Sequence, residues 1–207
     1  VTFQQLLTEF YARGFDYLND SGAGETRAKQ WINQSYQEIC GLDDWPFLEA
    51  TATGASPLTI ADMRTILSLT DTTTQTNLGF IDRRTLNEAY PDQSAAGNAL
   101  YAYLSDGTTI NTYPGNTDAL SVRYIKVPTD LVNGTDTPLI PARYRYAIVD
   151  FACGRAYIDS DNPEMAQVVR ADADTLIGSM REHYLYQQHQ DPDSIVAYGY
   201  SHDWASL

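Results

Sequence analysis

Phe3, Leu6, Leu7, Phe10 and Tyr11 recur at helical intervals behind Thr2, the spacing of one buried helix face with a hydroxyl cap in front of it. The pattern predicts a first helix ending near Tyr17, ahead of a loop at 19–24. The same rhythm returns over 25–40, where Ala28, Trp31, Ile32, Ser35, Tyr36 and Ile39 share a face and Gly41 supplies the stop. Trp45 stands before Pro46, a position pushed toward extended geometry, so the chain is expected to turn a packed corner at Trp45 and enter a strand at Phe47.

From there the period changes to two. Segments 47–53, 65–70, 98–104, 108–113 and 120–127 read as strands, and Asp106-Gly107 between two of them is a strong hairpin signal. A short helix is expected near 83–90, and the polar, Thr-rich 70–76 reads as a mobile loop between strands. Helical spacing then resumes. Pro141 suits the first turn of a third helix running to about Asp159, apolar all round over 146–153 and hence expected to be the most buried. Asn162 and Pro163 open a fourth, with Met165, Val168, Val169, Ala173, Leu176, Ile177, Met180 and Tyr184 as its stripe. Some 25 residues of helix would span roughly 40 Å, long enough to reach a neighbour. After Asp191-Pro192-Asp193 the pattern stops, leaving a tail with Ile195, Val196, Tyr198, Tyr200, Trp204 and Leu207 and no Lys or Arg. Large amphipathic rings on such a tail suit a partner contact or a seat on its own domain.

The expected architecture is therefore α+β, mainly α: a four-helix bundle with an inserted antiparallel β region and an extended C-terminal arm. Residues 1–46 and 138–190 would form the discontinuous bundle domain, 47–137 the insertion and 191–207 the arm.

Composition changes this picture only in its chemistry. Of 207 residues, 43% are hydrophobic and 19% charged, the profile of a folded chain. No apolar run approaches a membrane span and no basic segment leads into an apolar one at the start, so a protein made in the cytoplasm is expected. Net charge is −14, with 3 basic against 8 acidic residues over 1–50, 5 against 9 over 51–141 and 5 against 10 over 142–207. A uniformly acidic body repels phosphate and disfavours ordinary nucleic-acid binding.

Reactive groups are sparse. Cys40 and Cys153 sit among apolar helical residues and read as reduced core positions. His183 and His189 are six apart, on different helix faces, and Ser201-His202-Asp203 is a run of triad letters without the convergence a triad needs. Gly22-Ala23-Gly24-Glu25 lacks the Lys of a phosphate loop and reads as a flexible connector. Asp159-Ser160-Asp161-Asn162 opens like a calcium loop but has Glu164 where Gly and Arg170 where Glu would stand, so helix capping explains it better. Asp43-Asp44 with Asp172 and Asp174 could act as a carboxylate pair only if the fold brought them together. No catalysis, cofactor or metal is expected.

Two blocks carry a more specific signal. Ile32-Asn33-Gln34-Ser35-Tyr36-Gln37-Glu38-Ile39 runs into Asp44-Trp45-Pro46-Phe47-Leu48-Glu49, and after the β region Pro138-Leu139-Ile140-Pro141 opens a helix rich in Ala and Tyr as far as Tyr157. In order and spacing, over roughly residues 25 to 160, the chain resembles the head-to-tail adaptor (connector) proteins of tailed bacteriophages. The resemblance implies a structural protein of the virion neck, with about twelve copies in a closed ring beneath the portal protein. It further implies helical bundles side by side, a downstream neck or tail protein below, and the C-terminal arm, with Ile195, Val196, Tyr198, Tyr200, Trp204 and Leu207, reaching into the portal. Genomic DNA would pass through the hole without specific binding, held off acidic walls within a Debye length of about 8 Å. No membrane is involved. Two other readings stay open: a carbohydrate-binding or hydrolysing module, suggested by 15 Tyr, 3 Trp and the acidic residues, and another virion part such as a tail terminator or capsid decoration.

Overall fold

The computed structural model describes residues 1–19, 22–92 and 95–186, so the expected C-terminal arm, His189, His202 and the six tail residues above lie outside the described residues. The fold is α+β, with two four-stranded sheets. Two compact units emerge: Val1–Pro46 together with the described chain from Asp130 on, and Phe47–Thr129.

In the first unit, α1 (Phe3–Phe10) starts on a reciprocal capping box. Thr2 Oγ1 accepts from the Gln5 N–H and Gln5 Oε1 from the Thr2 N–H, at 3.4 and 2.9 Å. The helix widens into a π-turn at Tyr11–Phe15, broken where Gly14 takes φ +105°, a left-handed value that favours glycine. α2 spans Gly22–Gly41. The expected connector at 22–25 is thus the first turn of a helix: Thr26 Oγ1 donates to the Gly22 carbonyl at 2.7 Å, and Glu25 sits at the positive helix end in a 2.6 Å ion pair with Lys29. Trp45 is fully buried, and its indole N–H donates to the Ile39 carbonyl at 2.9 Å, satisfying one of the last carbonyls of α2. The strand expected from Phe47 begins two residues later, after a 3₁₀ turn at Pro46–Leu48.

α4 (Tyr146–Asp159) buries nine residues between Ala147 and Ala156 because α1, α2 and the following helix α5 (Pro163–Arg181) all pack on it. Pro141 stands just outside the 3₁₀ turn Ala142–Tyr144 that leads into α4. α5 (Pro163–Arg181) is capped by Asn162 and continues as a π-turn at Glu182–Tyr186. Its buried positions are Ala166, Ala173, Ile177 and Met180, whereas Met165 and Val168 of the expected stripe are exposed. Gly154 and Ala166 are small at the α4–α5 crossing, which turns that face of α5 inward.

The second unit pairs its strands in the orders β1-β8-β3-β4 and β2-β7-β6-β5. The strands are β1 (Glu49–Ala55), β2 (Leu58–Thr59), β3 (Met63–Asp71), β4 (Thr76–Asn77), β5 (Gly79–Phe80), β6 (Tyr101–Leu104), β7 (Thr109–Tyr113) and β8 (Ala119–Lys126), with α3 (Arg83–Ala89) after β5. Ile60, Leu69, Ala102, Ile110, Leu120 and Val122 lie in its core. The Asp106-Gly107 hairpin forms: Asp106 Oδ1 accepts from the Thr108 and Thr109 N–H groups at 3.0 and 2.7 Å, and Gly107 has φ +87°. Residues 70–76 join two strands as expected, closing the β3–β4 hairpin, and buried Asp71 staples the turn, its Oδ1 accepting from the Thr73 and Thr74 N–H groups. One expectation is corrected: the β region is not wholly antiparallel, since β5 pairs parallel with β6, the chain having crossed through α3 between them.

Candidate interaction surfaces

The polar letters of the first sequence block have defined partners. Asn33 meets the returning chain with both amide atoms: Nδ2 donates to the Leu131 carbonyl at 2.9 Å and Oδ1 accepts from the Leu131 N–H at 2.8 Å. One turn on, the Tyr36 hydroxyl accepts from the Leu139 N–H at 3.1 Å, and burial pushes its phenol up to about 12, so it stays neutral. Ile32 and Ile39, which flank them in the sequence, are buried. Arg145 then ties the second block down, donating from Nε to the Ile140 carbonyl at 2.7 Å and from Nη1 to the Val1 carbonyl at 3.0 Å. The spacing of these letters thus reflects a docking of residues 131–145 onto α2 and the N-terminus.

Charges cross-link the helices of the same unit. Glu38 on α2 accepts from Arg155 of α4 at 2.6 Å and Arg170 of α5 at 2.7 Å. Arg13, beside the Gly14 turn, pairs with Asp150 of α4 and with Glu9. Burial raises the Asp150 carboxyl above its ordinary range while Arg13 pulls it back; burial likewise opposes the charge on Arg13, and its two carboxylates outweigh it. Apart from the local Glu9–Arg13 pair, these partners are far apart in sequence and carried no local signal.

Among the described residues, none of the candidate reactive groups converges on another. Cys40 and Cys153 are buried and not joined in a disulfide, and burial pushes the Cys153 thiol up to about 12. The His183 ring packs edge-on to Tyr184 at 4.7 Å. Asp43 pairs with Arg181 at 2.8 Å, Asp159 with Arg27 at 2.6 Å, and Asn162 caps α5. Asp172 and Asp174 are exposed on α5. Among the described residues there is no group of three or more His, Cys, Asp or Glu that could hold a metal. Trp45 is interior, and Trp31 is half-buried against Phe10 with the Arg27 guanidinium 5.2 Å from its ring centre.

What remains are surfaces. A polar groove of about 790 Å³ follows the outer face of α2, lined by Gln30, Gln34, Gln37, Asp130 and Arg155. Ile158, Met165 and Val168 are exposed at the ends of α4 and α5 that adjoin their connection. In the β unit an apolar groove of about 440 Å³ runs beside β3, with Leu67 and Phe80 exposed along it. The pattern reading missed this groove because the register of β3 against β8 shifts at bulges around Arg64 and Leu67, and each bulge breaks the period of two.

The model of the family described as SU10 adaptor protein matches residues 2–196. No curated protein matches.

Proposed function

Because the chain belongs to the SU10 adaptor protein family, whose members have an adaptor or connector role in phage, we propose that it works as a ring of about twelve copies beneath the portal, linking capsid to tail. The match along 2–196 is the observation that carries this reading. The family implies a non-enzymatic role and a place in the virion, and no helix among the described residues is long and apolar enough to cross a membrane.

In this reading residues 1–46 and 138–190 form one discontinuous domain in which α1, α2, α4 and α5 make a four-helix bundle, set beside the bundles of neighbouring copies. Residues 47–137 are an insertion, and 191–207 an arm toward the portal. The portal contact is assigned to Ile195, Val196, Tyr198, Tyr200, Trp204 and Leu207. A downstream neck or tail protein binds the opposite side. Net charge of −14 per copy supplies carboxylates for a channel wall that keeps the duplex moving, since like charges within about 8 Å repel it. The test is to incubate the protein with a purified portal ring and image the product. A closed ring under the portal is expected, and truncation after Gln190 should abolish copurification. Undiminished binding by the truncated chain would remove the arm from the contact, and a protein that never rings on any portal would sink the reading.

A further inference from the structure

We propose that the apolar groove beside β3 seats residues 194–201 of the neighbouring copy's C-terminal segment, an inference that rests on the ring reading. Within the β unit, β3 is paired with β8 along its length, but on its other side β4 reaches only Thr70 and Asp71. Between Met63 and Ser68 no strand of the described residues lies on that side. Next to this open edge, Leu67 is 41% and Phe80 53% exposed, with Ile66, Leu78 and Leu104 forming the groove floor. An open strand edge beside an apolar channel is what strand addition uses: main-chain bonds hold the guest and pockets take alternate side chains. The bulges at Arg64 and Leu67 limit any ladder to a few bonds, so side chains must supply most of the contact.

The chain itself carries a segment of the matching kind. Beyond Tyr186 it continues to Leu207, and at roughly 3.3 Å per residue that reach is on the order of 70 Å, several times the roughly 13 Å radius of a hundred-residue domain. Within it Val196, Tyr198 and Tyr200 alternate with Ile195, Ala197 and Gly199, so an extended conformation puts one valine and two aromatic rings on a single face. Asp191, Asp193 and Asp203 flank residues 194–201, and beyond Tyr186 the chain has no Lys or Arg. Arg64 is among the residues that line the groove. A ring joined this way is head-to-tail, the groove of one copy meeting the segment of the next. Residues 194–201 then hold the neighbour, and the portal contact narrows to Trp204 and Leu207.

Two populations test this, one carrying Ser68→Cys in the groove lining and one Gly199→Cys in the segment, mixed on a purified portal ring under mild oxidation. The native thiols Cys40 and Cys153 are buried and stay out. A disulfide between the two populations is expected, since bridging requires the two backbones to come within about 7 Å, and Phe80→Asp added to the groove population should cut its yield about tenfold, a 1.4 kcal/mol loss. Rings that assemble without the bridge would overturn the seat while leaving the ring intact, as would a bridge that forms only within a third chain carrying both Ser68→Cys and Gly199→Cys. Failure of any ring to form would overturn the ring and the seat together.

Discussion

Removing the Arg13 side chain should destabilise the helical unit in a pH-dependent way. Asp150 is buried in α4 with its side chain 8% exposed, while Arg13 is 32% exposed. Arg13→Met strands the carboxylate. Leaving a buried charge unpaired costs about 3–5 kcal/mol; because water reaches a third of Arg13, the expected loss at pH 7 is about 2–3 kcal/mol. Without Arg13, the remaining influences on Asp150, which are burial, Asp172 and Glu9, all raise its pKa. A folded pKa above the unfolded value of about 3.9 gives a contribution that is fully present below the unfolded value and lost as pH rises through the folded one. The gap between variant and parent should therefore narrow as pH falls from 7 toward about 4.5. Urea titrations followed by tryptophan emission suit the measurement: Trp31 and Trp45 lie in the helical unit, and Phe47–Thr129 has no tryptophan. The pair Arg13→Met with Asp150→Leu should recover most of the loss, since an apolar replacement of both partners is often neutral. A gap that is the same at both pH values, or a double variant no more stable than Arg13→Met, would refute the reasoning.

Trp45→Phe keeps most of the buried ring but removes the 2.9 Å indole bond to the Ile39 carbonyl, which retains the Leu42 N–H at 3.3 Å, and should cost about 0.5–1.5 kcal/mol in the same titration. Thiol labelling near pH 8 should leave Cys153 unmodified in the folded chain, because burial holds its thiol at about 12, and proceed once urea unfolds the helical unit; rapid labelling without denaturant would contradict its burial.

Much of the helical part was legible because helices are written locally. Thr2, Asn162 and Gly41 stand at helix ends for reasons contained within a few residues, and the interior apolar run of 146–153 marked α4 as surrounded. The family was legible too, through blocks whose letters turn out to be the Asn33 and Tyr36 anchors for the returning chain. Trp45 and the Asp106-Gly107 hairpin were legible for the same local reason.

The sequence alone thus determined where most helices and the longer strands begin and end, since capping, proline, glycine and periodicity act over a few residues. Tertiary structure decided what depends on a partner far along the chain. It chose the Ala166–Ile177 face of α5 over Met165 and Val168, because α4 covers one side and not the other. It made two-residue strands of β2, β4 and β5, too short to show a period, and put the bulges of β3 beside Phe80. It also joined Arg13 to Asp150 across the unit. A hydrophobic pattern records only that a side chain prefers burial; which neighbour provides it is settled when the whole chain packs.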